Sequence, residues 1–143
     1  MKRKINILEI SARSDIGGGP EQLFKVAANL EGRFRFFCAC PDQAPYFERI
    51  TKAGIPIFKL PYRRFDVKSF FRLLKWTRRN SISVVHSHGR GAGIYARLLK
   101  IFNRELRIVH TFHGIHFSIM TFTWCAERLL RVLTNKFVFV SES

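Results

Sequence analysis

Two kinds of residue in this 143-residue sequence can do chemistry: a run of glycines and a set of histidines. The run Gly17-Gly18-Gly19 stands between an apolar segment and a segment that begins with Pro20. Without Cβ atoms, such a loop lets its backbone N–H groups converge on an anion at the N-terminus of the following helix. The sequence therefore predicts half of a phosphate-binding site at this turn. A tight turn without a ligand is the alternative.

The glycine run does not match the common nucleotide motifs. It lacks the full G-x-G-x-x-G spacing, and Asp42 follows the second apolar segment at a position that suits a ribose contact poorly. No Gly-Lys-Ser/Thr follows the glycines, which excludes a P-loop. A nicotinamide cofactor is therefore disfavoured, and the anion remains unspecified at this point.

Three histidines stand at predicted strand ends. His86 and His88 occur in Val-His-Ser-His-Gly, where we expect His86 to be buried and hydrogen-bonded and His88 to lie past the strand end. There His88 can contact a polar substrate. His113 ends a later strand and can bond a sugar hydroxyl or a phosphate oxygen, or transfer a proton. Two histidines without a nearby third ligand are weak grounds for zinc, so no metal site is predicted.

Alternating strands and helices must position these residues. Near-continuous apolar runs predict six strands, at 5–10, 34–40, 55–60, 82–86, 106–112 and 136–140. Helices are predicted between them, at 20–31, 44–53, 66–80, 92–102 and about 122–133. This order predicts the α/β class: one Rossmann-like domain over residues 1–143, with helices on both faces of a doubly wound parallel sheet of about six strands. Its binding edge is the carboxyl end of the strands.

Charge is the unusual feature of the composition. The chain has 25 Lys and Arg against 10 Asp and Glu, a net charge of +15, which favours nucleic acid, a lipid surface or a phosphorylated small molecule as partner. No apolar window is long enough to span a membrane and no secretory signal is evident, so we expect a cytoplasmic protein. Cys38 and Cys40 share a face of one strand and are expected in the core of a protein from a reducing compartment, while Cys125 completes no CxxC pair.

The predicted third helix carries much of the charge. Its basic residues recur at helical spacing, and two arginines precede it, giving Arg63, Arg64, Lys68, Arg72, Lys75 and Arg79. On the other side, Val67, Phe70, Phe71 and Leu74 are expected to pack onto the sheet. A basic amphipathic helix of this kind can lie on an anionic membrane. An ordinary solvated helix face is the alternative.

Five segments together resemble the N-terminal, acceptor-side domain of family-4 glycosyltransferases, the retaining enzymes of GT-B fold. They are Gly-Gly-Gly-Pro-Glu at 17–21, Val-Val-His-Ser-His-Gly at 84–89, Thr-Phe-His-Gly at 111–114, Glu-Arg at 127–128 and Val-Ser-Glu at 140–142. The resemblance covers nearly the whole chain, but the C-terminal, donor-binding domain of the family is absent from the sequence. It implies that the chain is a truncation, a fragmentary gene product or one half of a split enzyme, that its domain is incomplete at the C-terminus, and that the chain is inactive alone.

The resemblance also implies roles for residues. Gly17, Gly18 and Gly19 would approach the donor diphosphate, and His113 would contact the donor sugar near the reaction centre. Asp15 would lie near the acceptor or the reacting sugar, which makes it the second catalytic residue. His88 and Arg90 would bind the acceptor.

The implied reaction is metal-independent and needs no cofactor. It transfers a hexose from a UDP- or GDP-hexose to a glycan or lipid-linked acceptor in cell-envelope polysaccharide or glycolipid synthesis, at the inner membrane face. A separate C-terminal-domain chain or a second copy would be the protein partner. The alternatives are an inactive interaction fragment and a nucleic-acid-binding module. The latter is disfavoured because Phe70, Phe71 and Trp76 are expected near the packing face, so no specific nucleic acid is expected.

Overall fold

A computed structural model describes residues 4–30, 32–113 and 128–140. In that part of the chain, six parallel strands form one sheet in the order β3-β2-β1-β4-β5-β6. The strands are β1 (Ile5–Ser11), β2 (Phe34–Cys40), β3 (Ile57–Lys59), β4 (Val84–His88), β5 (Arg107–His113) and β6 (Lys136–Val140). The helices are α1 (Gly18–Asn29), α2 (Tyr46–Lys52), α3 (Val67–Arg79) and α4 (Gly89–Phe102), and a 3₁₀ turn covers Arg131–Leu133.

The two faces of the sheet carry different helices. On one face, which we call the α3 face, Leu8 and Val85 pack with α3 and α4. On the opposite face, the α1 face, Cys38 and Cys40 pack with α1 and α2. Side chains alternate between the faces along each strand, so β1 and β2 supply residues to both cores. The predicted doubly wound α/β fold and the predicted burial of these two cysteines are both confirmed.

The junction between β4 and α4 differs from its prediction. Gly89 has a φ angle of 77° and turns the chain directly from strand into helix. The strand therefore runs to His88 and the helix begins at Gly89, with no loop between them. The expectation that His88 lies past the strand end was wrong, because one glycine in the left-handed region replaces the expected loop. Strand β3 is also shorter than predicted.

The apolar side of α3 is rotated from its prediction. Its buried residues are Phe70, Leu73, Leu74 and Thr77. These positions follow the spacing i, i+3, i+4, i+7 of one helix face. Val67 and Phe71 were predicted to pack onto the sheet, but their exposed fractions are 60% and 52%. They lie one helical step away from the buried stripe, which corrects the prediction.

Part of the predicted fifth helix, with Cys125 and the loop at 115–123, lies outside the described residues. Residues 128–130 are helical and continue into the 3₁₀ turn before β6. Among the helices that the structure describes, none is long and apolar enough to cross a bilayer.

Candidate active site at the carboxyl edge of the sheet

The N-terminus of α1 faces the end of β5. A Cβ atom built on Gly18 would lie 3.6 Å from Nδ1 of His113, and one built on Gly19 would lie 3.6 Å from Cδ2 of the same ring. The first N–H groups of a helix have no partners within the helix. The structure thus brings the glycine turn and His113 together, and the two border one space. This arrangement suits an anion that also bears hydroxyl groups.

A column of polar side chains lies on the α1 face of the central strands. Glu9 on β1 pairs in register with His86 on β4, and His88 pairs with Thr111 on β5. His113 follows Thr111 by two residues, so it points to the same face. The alternation of the strands therefore places five polar residues side by side, leading from the buried middle of the sheet to its carboxyl edge.

Glu9 is the centre of this column. Its side chain is 1% exposed, and it accepts hydrogen bonds from Nε2 of His88 at 2.7 Å on Oε2 and from Nδ1 of His86 at 3.2 Å on Oε1. On the far side of His86, the hydroxyl of Thr111 lies 2.7 Å from Nε2. Burial alone would raise the pKa of the Glu9 carboxyl, but the hydrogen bonds from His86 and His88 outweigh burial and lower it. The carboxylate is therefore ionised, and it accepts both bonds.

Sequence reasoning missed Glu9. A signal was available, because Glu9 is the one charged residue within the first predicted strand and has apolar neighbours on both sides. Glu9, His86 and His88 each offer one ligand atom, and these atoms lie within 4.8 Å of one another, so the trio has the groups to hold a cation. A third group that can bind a cation therefore lies beside His86 and His88, where the sequence indicated none.

His88 differs from its predicted setting. It is only 4% exposed, and its Nδ1 lies 3.3 Å from Nε2 of His113. Burial lowers the pKa of His88, although Glu9 acts in the opposite direction. Arg90, by contrast, is exposed on the first turn of α4. Contact of either residue with an acceptor stays a prediction.

Asp15 is held by two neighbours. Nε and Nη2 of Arg13 donate to its two carboxylate oxygens at 2.6 and 3.1 Å, and the hydroxyl of Tyr62 donates at 3.0 Å. The bond from Arg13 is the main reason why the pKa of Asp15 is lowered. Arg13 also donates to the carbonyl of Ile16 at 2.8 Å, which fixes the approach to the glycine turn. The geometry makes Asp15 a support of the turn, and its catalytic role stays a prediction.

Comparison with known proteins identifies the family. The profile of Glycosyltransferase Family 4 matches residues 16–143, which includes the glycine turn and all four histidines of the described part. The chain belongs to Glycosyltransferase Family 4. The resemblance drawn from the five sequence segments is thereby confirmed.

The relatives of this family-4 chain include O-antigen biosynthesis glycosyltransferases. The O-antigen biosynthesis glycosyltransferase WbnH of Escherichia coli is 23% identical over 143 residues, covering 96% of this chain and 42% of that protein. The chain thus spans less than half the length of this curated relative. Among solved structures, a glycosyltransferase from Rickettsia africae ESF-5 matches with a TM-score of 0.77 at 17% identity, over 96% of this chain and 37% of that one. Anabaena Alr3699/HepE, solved in complex with UDP and glucose, matches with a TM-score of 0.71 at 13% identity, over 93% of this chain and 37% of that one.

The family-4 chain also presents a basic surface on and before α3. All six predicted basic residues are exposed, namely Arg63, Arg64, Lys68, Arg72, Lys75 and Arg79. The structure adds an aromatic patch that the sequence did not predict, formed by Phe65, Phe71 and Phe102 with exposed fractions of 41%, 52% and 47%. The rings of Phe71 and Phe102 lie 5.9 Å apart, and Phe70 contacts all three from below. Apolar and cationic groups therefore share this side of the molecule.

Proposed function

We propose that this chain is the acceptor-side part of a glycosyltransferase. The enzyme transfers a hexose from a UDP- or GDP-hexose to a glycan or lipid-linked acceptor, with retention of the anomeric configuration and without a metal ion. The observation that carries the proposal is the contact geometry of Gly18 and Gly19 with His113, in a chain of this family. An anion-binding helix N-terminus and a hydroxyl-binding ring at one space fit a sugar diphosphate.

The chemistry follows from charge. The N-terminus of α1 presents free N–H groups and the positive end of the helix dipole, equivalent to about half an elementary charge, to the donor diphosphate. Burial lowers the pKa of His113, and the nearby His88 and His86 lower it further. A neutral imidazole therefore meets the sugar near pH 7, and it orients a hydroxyl by hydrogen bonding without adding charge.

The partial coverage of longer relatives supports a division of labour. WbnH is more than twice as long as the matched region. We propose that a second domain, on the same or another chain, supplies most donor contacts and the charges that stabilise the departing diphosphate. Without those preorganised charges, this chain alone should bind donor weakly and turn it over negligibly.

The basic surface and the aromatic patch support a membrane location for this reaction. Each Lys or Arg near an anionic bilayer contributes about 1 kcal/mol of attraction. Exposed aromatic rings can insert between lipid headgroups next to those charges. We propose that α3 holds the enzyme at the inner face of the cell membrane, where a lipid-linked acceptor is presented.

Titration of the ¹⁵N-labelled chain with UDP-glucose, GDP-mannose and UDP tests donor binding. With the two nucleotide sugars, the amides of Gly18 and Gly19 and the ring of His113 should shift together and saturate. UDP and ADP-ribose carry a diphosphate without a hexose, so they are the controls and should shift the two amides without the ring of His113. Shifts confined to other parts of the chain, or no shift with any nucleotide sugar, would contradict the proposed site.

Stereochemistry tests the reaction class. In the complete enzyme, the anomeric proton of the newly joined sugar should report the same configuration as in the donor, by its coupling constant in ¹H NMR. Chelator should leave the rate unchanged. An inverted product or loss of turnover on chelation would overturn the retaining, metal-independent proposal.

A further inference from the structure

Three side chains form a continuous hydrogen-bonded chain from the core to the candidate site. Oε2 of Glu9 lies 2.7 Å from Nε2 of His88, and Nδ1 of His88 lies 3.3 Å from Nε2 of His113. Glu9 and His88 are buried, whereas His113 is half-exposed at the rim. This series of hydrogen bonds ends at the ring of His113, whose Nδ1 faces Gly18.

The ionised carboxylate of Glu9 determines which ring nitrogens of His88 and His113 carry a proton. An ionised carboxylate can only accept, so Nε2 of His88 must carry the proton that it donates. In a neutral imidazole, Nδ1 of His88 is then bare and can only accept. Nε2 of His113 must therefore carry a proton, and Nδ1 of His113 is bare. Burial lowers the pKa of both His88 and His113, which keeps both rings neutral.

The Glu9 carboxylate also accepts a hydrogen bond from His86. Nδ1 of His86 donates to the carboxylate, and Nε2 of His86 lies 2.7 Å from the hydroxyl of Thr111, which can donate or accept. The Glu9 carboxylate therefore determines which nitrogen donates in its two histidine partners and, through His88, which nitrogen donates in His113.

We propose that Glu9 is a positioning residue, which acts through His88 to hold His113 with a bare Nδ1 facing the glycine turn. This inference rests on the proposed function, because it assigns what His113 does there. An unprotonated ring nitrogen accepts a hydrogen bond and cannot donate one. His113 therefore selects a sugar hydroxyl that donates, and it rejects a sugar that lacks a hydroxyl or places only an acceptor at that position.

Imidazole ¹⁵N NMR of the chain, labelled at histidine, tests the tautomers directly, because protonated and bare ring nitrogens have well-separated shifts. The expected pattern is a proton on Nδ1 of His86 and on Nε2 of His88 and His113. His86 is the most diagnostic ring, since the Nδ1–H form is the less common tautomer of free histidine. A proton on Nδ1 of His113 in the unaltered protein would overturn the proposal without any variant.

Substitutions test whether Glu9 and His88 determine the tautomer of His113. Glu9→Met keeps side-chain length without accepting a strong hydrogen bond, and His88→Leu removes the acceptor beside His113. Both should turn His113 from a single tautomer into a mixture. His86→Asn is the matched control, because the amide can still donate to Glu9 while the His88 branch is untouched, so His113 should keep its tautomer. An unchanged His113 in a folded His88→Leu protein would overturn the proposal.

Ligand binding separates this inference from the proposed function. In Glu9→Met, affinity for UDP-glucose should fall roughly tenfold while affinity for UDP stays the same, since one oriented hydrogen bond to the sugar is lost. An equal fall for both ligands would mean a merely structural role and would overturn the positioning role. A further outcome is that the tautomers are as expected while no nucleotide sugar perturbs His113. That result would support the positioning role of Glu9 and contradict the proposed function. Zinc that displaces the ring protons stoichiometrically would overturn the tautomer assignment.

Discussion

His88 and His113 lie with their rings nearly parallel, at a centroid separation of 5.5 Å and an interplanar angle of 28°. The ring of His88 closes the site from the core side, and the ring of His113 faces the glycine turn. Because His88 is hydrogen-bonded to the buried carboxylate of Glu9, the orientation of His113 depends on residues that reach into the middle of the sheet. The candidate site at the carboxyl edge of the sheet is therefore held by hydrogen bonds that begin in the middle of the sheet.

Gly18→Ala should separate binding from folding. The added methyl group would make an ordinary 3.6 Å contact with His113, so the free energy of unfolding should change by less than about 0.5 kcal/mol. The same methyl group fills the space proposed for the diphosphate, so the UDP-glucose shifts of His113 should be lost. Urea unfolding and NMR titration measure the two effects. Retained binding in a folded variant would contradict the site.

Gly93→Ala should destabilise the domain instead. A Cβ atom there would lie 2.7 Å from Cε1 of His110 and 3.1 Å from its Nδ1, inside the packed α3 face. Overpacking of this kind costs about 1–3 kcal/mol of unfolding free energy. Gly32→Ala is the matched control, since no atom lies within 4 Å of its Cβ position. Equal urea midpoints for the two variants would contradict this packing.

Stability should fall in mild acid because of His110. Burial is the main cause that lowers the pKa of His110 from 6.5 to about 3. Between these values the unfolded chain binds a proton that the folded chain does not, so stability is lost as pH falls, by up to about 1.4 kcal/mol per pH unit. His110→Asn keeps a polar atom near Oγ of Ser87, which lies 2.8 Å from Nδ1, and it should flatten this slope between pH 6 and pH 4. Superimposable pH profiles of urea unfolding would refute the effect.

Asp15→Asn should lower the free energy of unfolding only slightly. The loss should appear at neutral pH and disappear in acid. Arg13 lowers the pKa of Asp15, so the pair stabilises the fold above the unfolded pKa of about 3.9 and loses this contribution as pH falls through the lower folded value. Because the two side chains are 39% and 32% exposed, the expected loss at pH 7 is at most about 1 kcal/mol. Asp42→Asn breaks a more exposed pair with Lys59 and serves as the control. A difference from the unaltered protein that persists at pH 3 would argue against the ion pair as its source.

Neutralising α3 should weaken binding to anionic vesicles. Replacing Lys68, Arg72 and Lys75 by Gln removes about 3 kcal/mol of surface attraction, or roughly a hundredfold in partition coefficient at low salt. The same net change at Lys25, Arg33 and Lys52, which lie on or near the α1 face, is the matched control. Co-sedimentation with phosphatidylglycerol vesicles measures the difference. Equal losses in both triple variants would mean that net charge, and not α3, attracts the chain.

The aromatic patch makes a separate contribution. Phe71→Ser should leave the low-salt attraction largely intact but abolish the binding that persists at high salt, because ring insertion is not screened. Phe71 is 52% exposed, so the substitution removes little from the core. Binding that vanishes fully with salt even in the unaltered protein would exclude insertion.

The sequence by itself determined the strand and helix order, the glycine turn and the place of His113. Apolar runs and turn residues are local signals, and their alternation leaves few topologies for a parallel sheet. The sequence also determined the basic stripe of α3, because helical spacing alone shows which of its charged residues share a face.

Only the tertiary structure decided how the polar residues meet. Glu9 lies more than seventy positions before His86 and His88 along the chain, and its role depends on the register of β1 against β4. Register is set by the packing of both faces at once, so no local pattern specifies it. The same holds for Phe71, whose exposure depends on which stripe of α3 meets the sheet. Local chemistry names the residues that can act, and packing decides which of them share a site.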